Sequence, residues 1–245
     1  MEERLEKILT AIIQEYTQTA VPVGSKILSE KYGFELSAAT IRNDMARLEK
    51  EGFLFQPHTS AGRIPTDKGY RYFVEKVMGD EELSREDQRR LQAEVLKLKA
   101  QNKRFSRTTS KLLSSLSGSL VISGIENEFY DFGISELLEN PEFREIDEFS
   151  RIAEALDYID ENVDSILRKL KDGETKIFIG KENPIRNISN CSMVVSPYTT
   201  KEGEKGLLAI IGPKRMRYAK NKSLLEYLGK LLGPSAVIVT FVHFI

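Results

Sequence analysis

Ser37-Ala38-Ala39-Thr40-Ile41-Arg42-Asn43-Asp44-Met45-Ala46-Arg47-Leu48, followed after Glu51 by Gly52-Phe53-Leu54-Phe55-Gln56-Pro57-His58-Thr59-Ser60-Ala61-Gly62-Arg63-Ile64-Pro65-Thr66, decides the fold of the N-terminal part. Ser37 is a capping residue, and Ile41, Met45 and Leu48 recur at helical spacing. The run therefore predicts a helix to about Glu51, closed by Gly52. Phe53-Leu54-Phe55 reads as a strand, Pro57 through Gly62 as a loop and Arg63-Ile64-Pro65 as the returning limb of a hairpin.

Working outward toward the N-terminus, Leu5, Ile8, Leu9, Ile12, Ile13 and Tyr16 recur at three and four, the stripe of an amphipathic helix over Glu2 to Thr17. Ser25 is expected to cap a short helix that ends at Tyr32 and Gly33. Three short helices with a tight turn between the second and third, then a hairpin, spell a winged helix-turn-helix. Thr66 with Asp67 caps a fourth helix to about Met78, its apolar face made of Tyr70, Phe73, Val74 and Val77.

Toward the C-terminus a longer helical pattern runs from Ser84 to Ser117. Leu91, Val95, Leu98, Asn102, Phe105, Thr109, Leu112 and Leu116 alternate four and three apart, with Asn102 at an a position. Two readings stand: an amphipathic helix packed on its own domain, or a dimerisation seam carried by Leu91, Val95, Leu98, Asn102, Phe105 and Leu112. Beyond Leu120 the pattern mixes strands and helices. Leu120–Ile125, Lys176–Gly180, Met193–Tyr198, Leu207–Gly212 and Ala236–Phe244 read as strands, the third and fourth as a hairpin, and Phe149–Leu170 and Arg217–Leu232 as helices.

Composition narrows the function classes. The 245 residues hold 36 Lys plus Arg against 37 Asp plus Glu, so a surface for a polyanion has to be a local patch. One cysteine, Cys191, and two histidines leave no disulfide framework and a poor supply of metal ligands, and no cofactor is expected. The chain lacks a Walker loop, a dinucleotide fingerprint and a zinc motif, so an enzyme is not expected. Met1-Glu2-Glu3-Arg4-Leu5-Glu6 lacks the basic start and apolar core of a signal peptide, and no apolar stretch nears the ~18 residues that span a membrane. A cytoplasmic protein without membrane contact is the expectation.

The local patch is legible on the third helix. With Ile41, Met45 and Leu48 inward, Ala39, Thr40, Arg42, Asn43, Ala46, Arg47 and Lys50 fall outward. Small Ala39 and Ala46 permit close approach to a major groove. Arg42 or Arg47 can fork onto guanine, and Asn43 can pair with adenine. The bland alternative is a solvated helix face. Against it stands the acid-free loop from Gln56 to Arg63, whose His58, Thr59, Ser60 and Gly62 can hold phosphates while Arg63 reaches a minor groove. Ser25 and Lys26 can meet a further phosphate at the start of the second helix.

Pro22-Val23-Gly24-Ser25, Ser37-Ala38-Ala39-Thr40-Ile41-Arg42-Asn43 and the run from Gln56 to Thr66 resemble the heat-inducible transcription repressor family, HrcA. So, in the family's order, do Ser135–Phe143, Ile179–Asn183, Cys191-Ser192 and Ile210–Met216. The resemblance implies an α+β chain: a winged helix-turn-helix over 1–78, a helical linker over 79–117 and a truncated GAF-like α/β domain over 118–245. It further implies a homodimer on an inverted-repeat operator in double-stranded DNA upstream of chaperone genes, with the chaperonin GroEL promoting the active repressor. Between Leu120 and Phe129 the chain is much shorter than typical members, which takes away the family's inserted dimerising region. A regulator responding to a small ligand near Gly180, Asn183 and Tyr198 is the alternative.

Overall fold

The computed structural model describes residues 1–100, 107–125, 128–144, 150–158, 174–185, 188–200 and 202–233. Chain contacts divide it into two units. One comprises Met1–Gly79 with Ile179–Lys181 and Lys214–Arg217, and the other holds the remainder.

In the first unit the three-and-four spacing of apolar residues makes Glu3–Thr19 a helix, α1, with Leu5, Ile8, Leu9, Ile12 and Ile13 all buried. α2 (Ser25–Lys31) starts behind Gly24, which takes the capping place expected of Ser25. Ser25 is inside the helix, buried, and makes no cap bond. α3 (Ala38–Lys50) is capped as its sequence predicts, Ser37 Oγ accepting from the Thr40 amide at 3.1 Å. Its Ile41, Met45 and Leu48 close over α1 and α2 together with Leu28. Each such side chain contributes about 1.5–3 kcal/mol of burial.

Two polar ties complement this core. Glu15 on α1 accepts from Lys31 Nζ at 2.6 Å and from the Tyr32 hydroxyl at 2.9 Å, joining α1 to the end of α2. Arg4 on α1 bonds the buried Asp44 of α3 at 3.0 Å.

The chain then forms the expected hairpin, β1 (Leu54–Phe55) against β2 (Ile64–Pro65), antiparallel with Leu54 opposite Pro65 and Phe55 opposite Ile64. A further rung joins Arg63 to Val23, each amide donating to the other's carbonyl at 2.9 Å. Thr66 Oγ1 caps α4 (Asp67–Tyr72) by accepting from Gly69 N at 3.1 Å, and donates to the Gly52 carbonyl at 2.7 Å. α4 does not continue as one regular helix to Met78, because Phe73–Val77 widens into a π turn.

The second unit contains α5 (Arg85–Ala100), α6 (Arg107–Ser117), β3 (Leu120–Ile125), β4 (Glu128–Phe132), α7 (Ile134–Leu138), a 3-10 turn at Pro141–Phe143, helical residues 150–158 (α8), β5 (Lys176–Ile179), β6 (Cys191–Thr199), β7 (Lys205–Pro213) and α9 (Tyr218–Leu232). The strands form one sheet in the order β4-β3-β7-β6-β5. β3 runs antiparallel to β7 with Leu120 opposite Ile211, and β6 to β7 with Met193 opposite Ile211. The structure thus carries an α+β fold, with the hairpin expected between Met193 and Gly212 in place.

Side-chain alternation sends each central strand to both faces. Leu120, Ile122, Met193, Val195, Leu207, Ala209 and Ile211 share a core with Leu137 of α7, Phe143, Ile152 and Ala155 of α8. The opposite face meets α6 and α9. Ser123 bonds Ser110 of α6 at 2.9 Å, and Ser192 bonds Tyr218 of α9 at 2.8 Å. With both faces covered, the strands have to be apolar nearly throughout.

α5 packs on α6 and α9, and Leu91, Val95 and Leu98 are 0, 0 and 3% exposed within the single chain. Among the described residues, this burial favours the reading of an amphipathic helix packed on its own domain. Leu112 is half-buried on α6. Asn102, Phe105, most of the segment expected as a helix to Leu170, and the strand expected over Ala236–Phe244 lie outside the described residues.

Candidate nucleic-acid interface

Burying Ile41, Met45 and Leu48 turns the rest of α3 outward. Ala39, Arg42, Asn43, Ala46, Arg47 and Lys50 are exposed, while Thr40 is half-buried and bonded to the Ser37 hydroxyl at 2.9 Å. The exposed strip is narrow in its middle because alanines flank Arg42 and Asn43. A groove edge or flat surface can come close to the helix backbone there.

The basic side chains of this strip differ in their surroundings. Arg47 is held: its Nη2 and Nη1 donate to Glu2 Oε1 and Oε2 at 2.7 and 2.9 Å, and its Nε to Glu51 at 3.3 Å. The hydrogen bond from Arg47 keeps the Glu2 carboxyl below the ordinary range, and the same contact raises the guanidinium. Among the described residues neither Arg42 nor Lys50 has such a contact, and both are exposed. Lys26 on α2 is 82% exposed, with a loose pair to Glu30 at 3.8 Å.

The hairpin loop is built from within. Gln56 Nε2 donates to the carbonyls of Thr59 and Ala61 at 3.0 and 2.8 Å, so the amide shapes the loop and leaves His58, Thr59 and Ser60 exposed at its tip. Gly62, expected among the phosphate-holding residues, and Arg63, expected to reach a minor groove, also make contacts within the chain. Gly62 lies against the chain before α2, where an added Cβ would collide with the Val23 carbonyl. Arg63 is at the base of the hairpin, its side chain 13% exposed and its Nε on Glu49 at 2.9 Å. From this far limb of the hairpin, the reach into a minor groove expected of Arg63 requires it to leave Glu49.

Glu2, Glu49 and Glu51 are the residues that sequence reasoning missed. Glu51 stands four residues beyond Arg47, a spacing that signals a helical ion pair. The Glu2 contact spans 45 positions and Arg63–Glu49 joins two different elements, so neither has a local signature.

Residues weighed for other roles are used structurally. Cys191 is 1% exposed in the sheet core. Asn183 donates to the Cys191 carbonyl at 2.7 Å, and the Tyr198 ring lies where a side chain on Gly206 would go. Among the described residues there is no cluster able to hold a metal ion, and no helix is long and apolar enough to cross a membrane.

Known proteins place this architecture. A solved structure of a hypothetical protein at 2.2 Å resolution superposes with a TM-score of 0.72 over 96% of this chain and 98% of its own, at 20% identity, which speaks to the fold alone. A heat-inducible transcription repressor HrcA from Pelotomaculum thermopropionicum is 27% identical across 95% of this chain and 96% of its own, and one from Moorella thermoacetica is 29% identical across 95% and 97%. Another from Parafrankia sp. is 52% identical over 93 residues, 38% of this chain and 27% of its own. The first of these matches extends over 340 positions although this chain has 245 residues, so at least 95 of them, 340 less 245, are filled by the relative alone. Residues 73–221 match the family described as HrcA protein C terminal domain, and by that match the chain belongs to the HrcA family.

Proposed function

We propose that this protein is a sequence-specific DNA-binding repressor of heat-inducible stress genes. Residues 1–78 serve as a winged helix-turn-helix: α2 and α3 are its two helices, and β1, β2 and their loop are its wing. The observation that carries the reading is the exposed strip of α3, where Arg42 and Asn43 stand between small residues beside an acid-free loop exposing His58, Thr59 and Ser60. Ala39 and Ala46 let α3 settle into a major groove. Arg42 then reads guanine, Asn43 reads adenine, and the loop tip with Lys26 and the α2 start near Ser25 meets phosphates. The name borne by the relatives, heat-inducible transcription repressor, supports the regulatory half.

In this reading the protein acts in the cytoplasm as a homodimer on an inverted-repeat operator, each copy placing one α3 in a half-site. The second unit is the regulatory part. A GAF-like fold and a response to GroEL are what the family resemblance brings to it. Burial of Leu91, Val95 and Leu98 within the chain favours a dimer contact away from the α5 stripe.

Fluorescence anisotropy with duplexes from the chaperone promoters of the source genome tests the proposal. The inverted repeat is expected to bind more tightly than a scrambled duplex of equal length, with affinity falling steeply from about 50 to 200 mM salt as counterions are released. Equal affinity for both duplexes, or no binding of either at low salt, removes the function.

A further inference from the structure

Within that DNA-binding reading, the geometry separates the two arginines of the α3 surface and gives a part to a residue outside it. We infer that Glu2 holds, inside the chain, the place of a backbone phosphate on Arg47, so that duplex binding exchanges one oxyanion for another and Arg47 supplies affinity without reading bases.

Three observations carry this. Arg47 meets Glu2 through a parallel two-pronged contact, at 2.7 and 2.9 Å, the arrangement in which a guanidinium takes either a carboxylate or a phosphate. Glu2 occupies the N-cap position of α1, yet its side chain makes no cap bond and turns to α3 instead. Its backbone is fixed by the helix, the Glu6 amide donating to the Glu2 carbonyl at 3.0 Å, so the carboxylate is delivered from a rigid support. Finally, Arg47 lies in the last turn of α3, more than a turn beyond Arg42 and Asn43. Recognition helices present their N-terminal residues to base edges, which leaves the later position to the backbone.

The clamp is built to be exchanged. Its two side chains are 46% and 57% exposed, and ion pairs in such surroundings are weak and screened by salt. A phosphate arriving at Arg47 also repels Glu2, so displacement and contact are one event. The carboxylate therefore lowers affinity for every sequence alike and leaves the preference among sequences to Arg42 and Asn43.

A double-mutant cycle with the full chain, any tag placed at the C-terminus, tests this on operator and scrambled duplexes at two salt concentrations. Glu2→Gln should tighten binding to both by about 1.5- to 5-fold, the range expected of an exposed pair, with a smaller gain at the higher salt. Arg47→Ala should weaken both equally and reduce the salt slope by about one. In the Arg47→Ala background, Glu2→Gln should change binding no more than the loss of one exposed negative charge does. Glu3→Gln, whose carboxylate pairs with Lys7 at 2.7 Å, controls for the loss of charge and should give the same small change in either background. A Glu2→Gln gain beyond that of Glu3→Gln that persists without Arg47, or an altered sequence preference in Arg47→Ala, overturns the inference while DNA binding stands. Failure of the unaltered chain to bind either duplex removes the function and this inference with it.

Discussion

Arg42 and Asn43 show how far a single residue's role depends on what surrounds it. Both project from the same exposed strip as Arg47, but only Arg47 is gripped by carboxylates from two directions. On the proposed function, Arg42→Ala and Asn43→Ala should each relax base preference at one operator position. The expected loss is about 1–3 kcal/mol of discrimination, read by anisotropy against a set of single-base operator variants. Uniform weakening across the set would assign that residue to the backbone. The outward direction of these residues was legible because Ile41, Met45 and Leu48 mark the inner face by spacing alone. The capture of Arg47 was not, since its main partner is 45 positions away. Gly62 teaches the complementary lesson. The sequence places it in a phosphate-holding loop, and its lack of a side chain also answers the approach of Val23 and Pro22, which no local pattern signals.

At the scale of elements, local signals transferred wherever they fixed both a boundary and a face. Ser37 and Thr66 act as caps where the sequence puts them, and at the start of α5 Ser84 Oγ accepts from Asp87 N at 3.1 Å. The β6–β7 hairpin follows from its apolar runs. β4 went unread, because Glu128-Phe129-Tyr130-Asp131-Phe132 mixes charge with aromatics and gains its strand only by pairing with β3. The stripe on α5 was legible as well, but its destination was not. A four-and-three spacing suits a partner copy and an intramolecular neighbour equally, and α6 and α9 supply the neighbour. Leu91→Ala should accordingly cost about 2–5 kcal/mol in urea unfolding without changing the molar mass in sedimentation. A change of mass at unchanged stability would return α5 to the role of an interface.

For the whole molecule, Glu15 and Tyr32, joined across α1 and α2, contribute to the acid and alkaline limits of stability. The hydrogen bond from Lys31, aided by that from Tyr32 and opposed by burial, lowers the Glu15 carboxyl below 4.5. Its stabilising contribution is present above that value and is lost as pH falls through the lower, folded one. Burial first, and then the Glu15 bond, push the Tyr32 hydroxyl from 10.0 to about 12. That contribution is complete below pH 10.0 and disappears as pH rises toward about 12. Urea midpoints measured across pH should therefore show a plateau between these limits, and Glu15→Gln should flatten the acid limb. An unchanged acid limb in that variant would show that the contact contributes nothing in solution.

The pairing of Leu120 with Ile211 has a temporal side. Helices and hairpin that draw on near neighbours can form while synthesis is still under way, but the central sheet has to wait for its partner strand to leave the ribosome, after most of the chain has been made. During that interval a finished α3 precedes the sheet meant to accompany it, and the exposed strands waiting for closure are the ones a chaperone would encounter first.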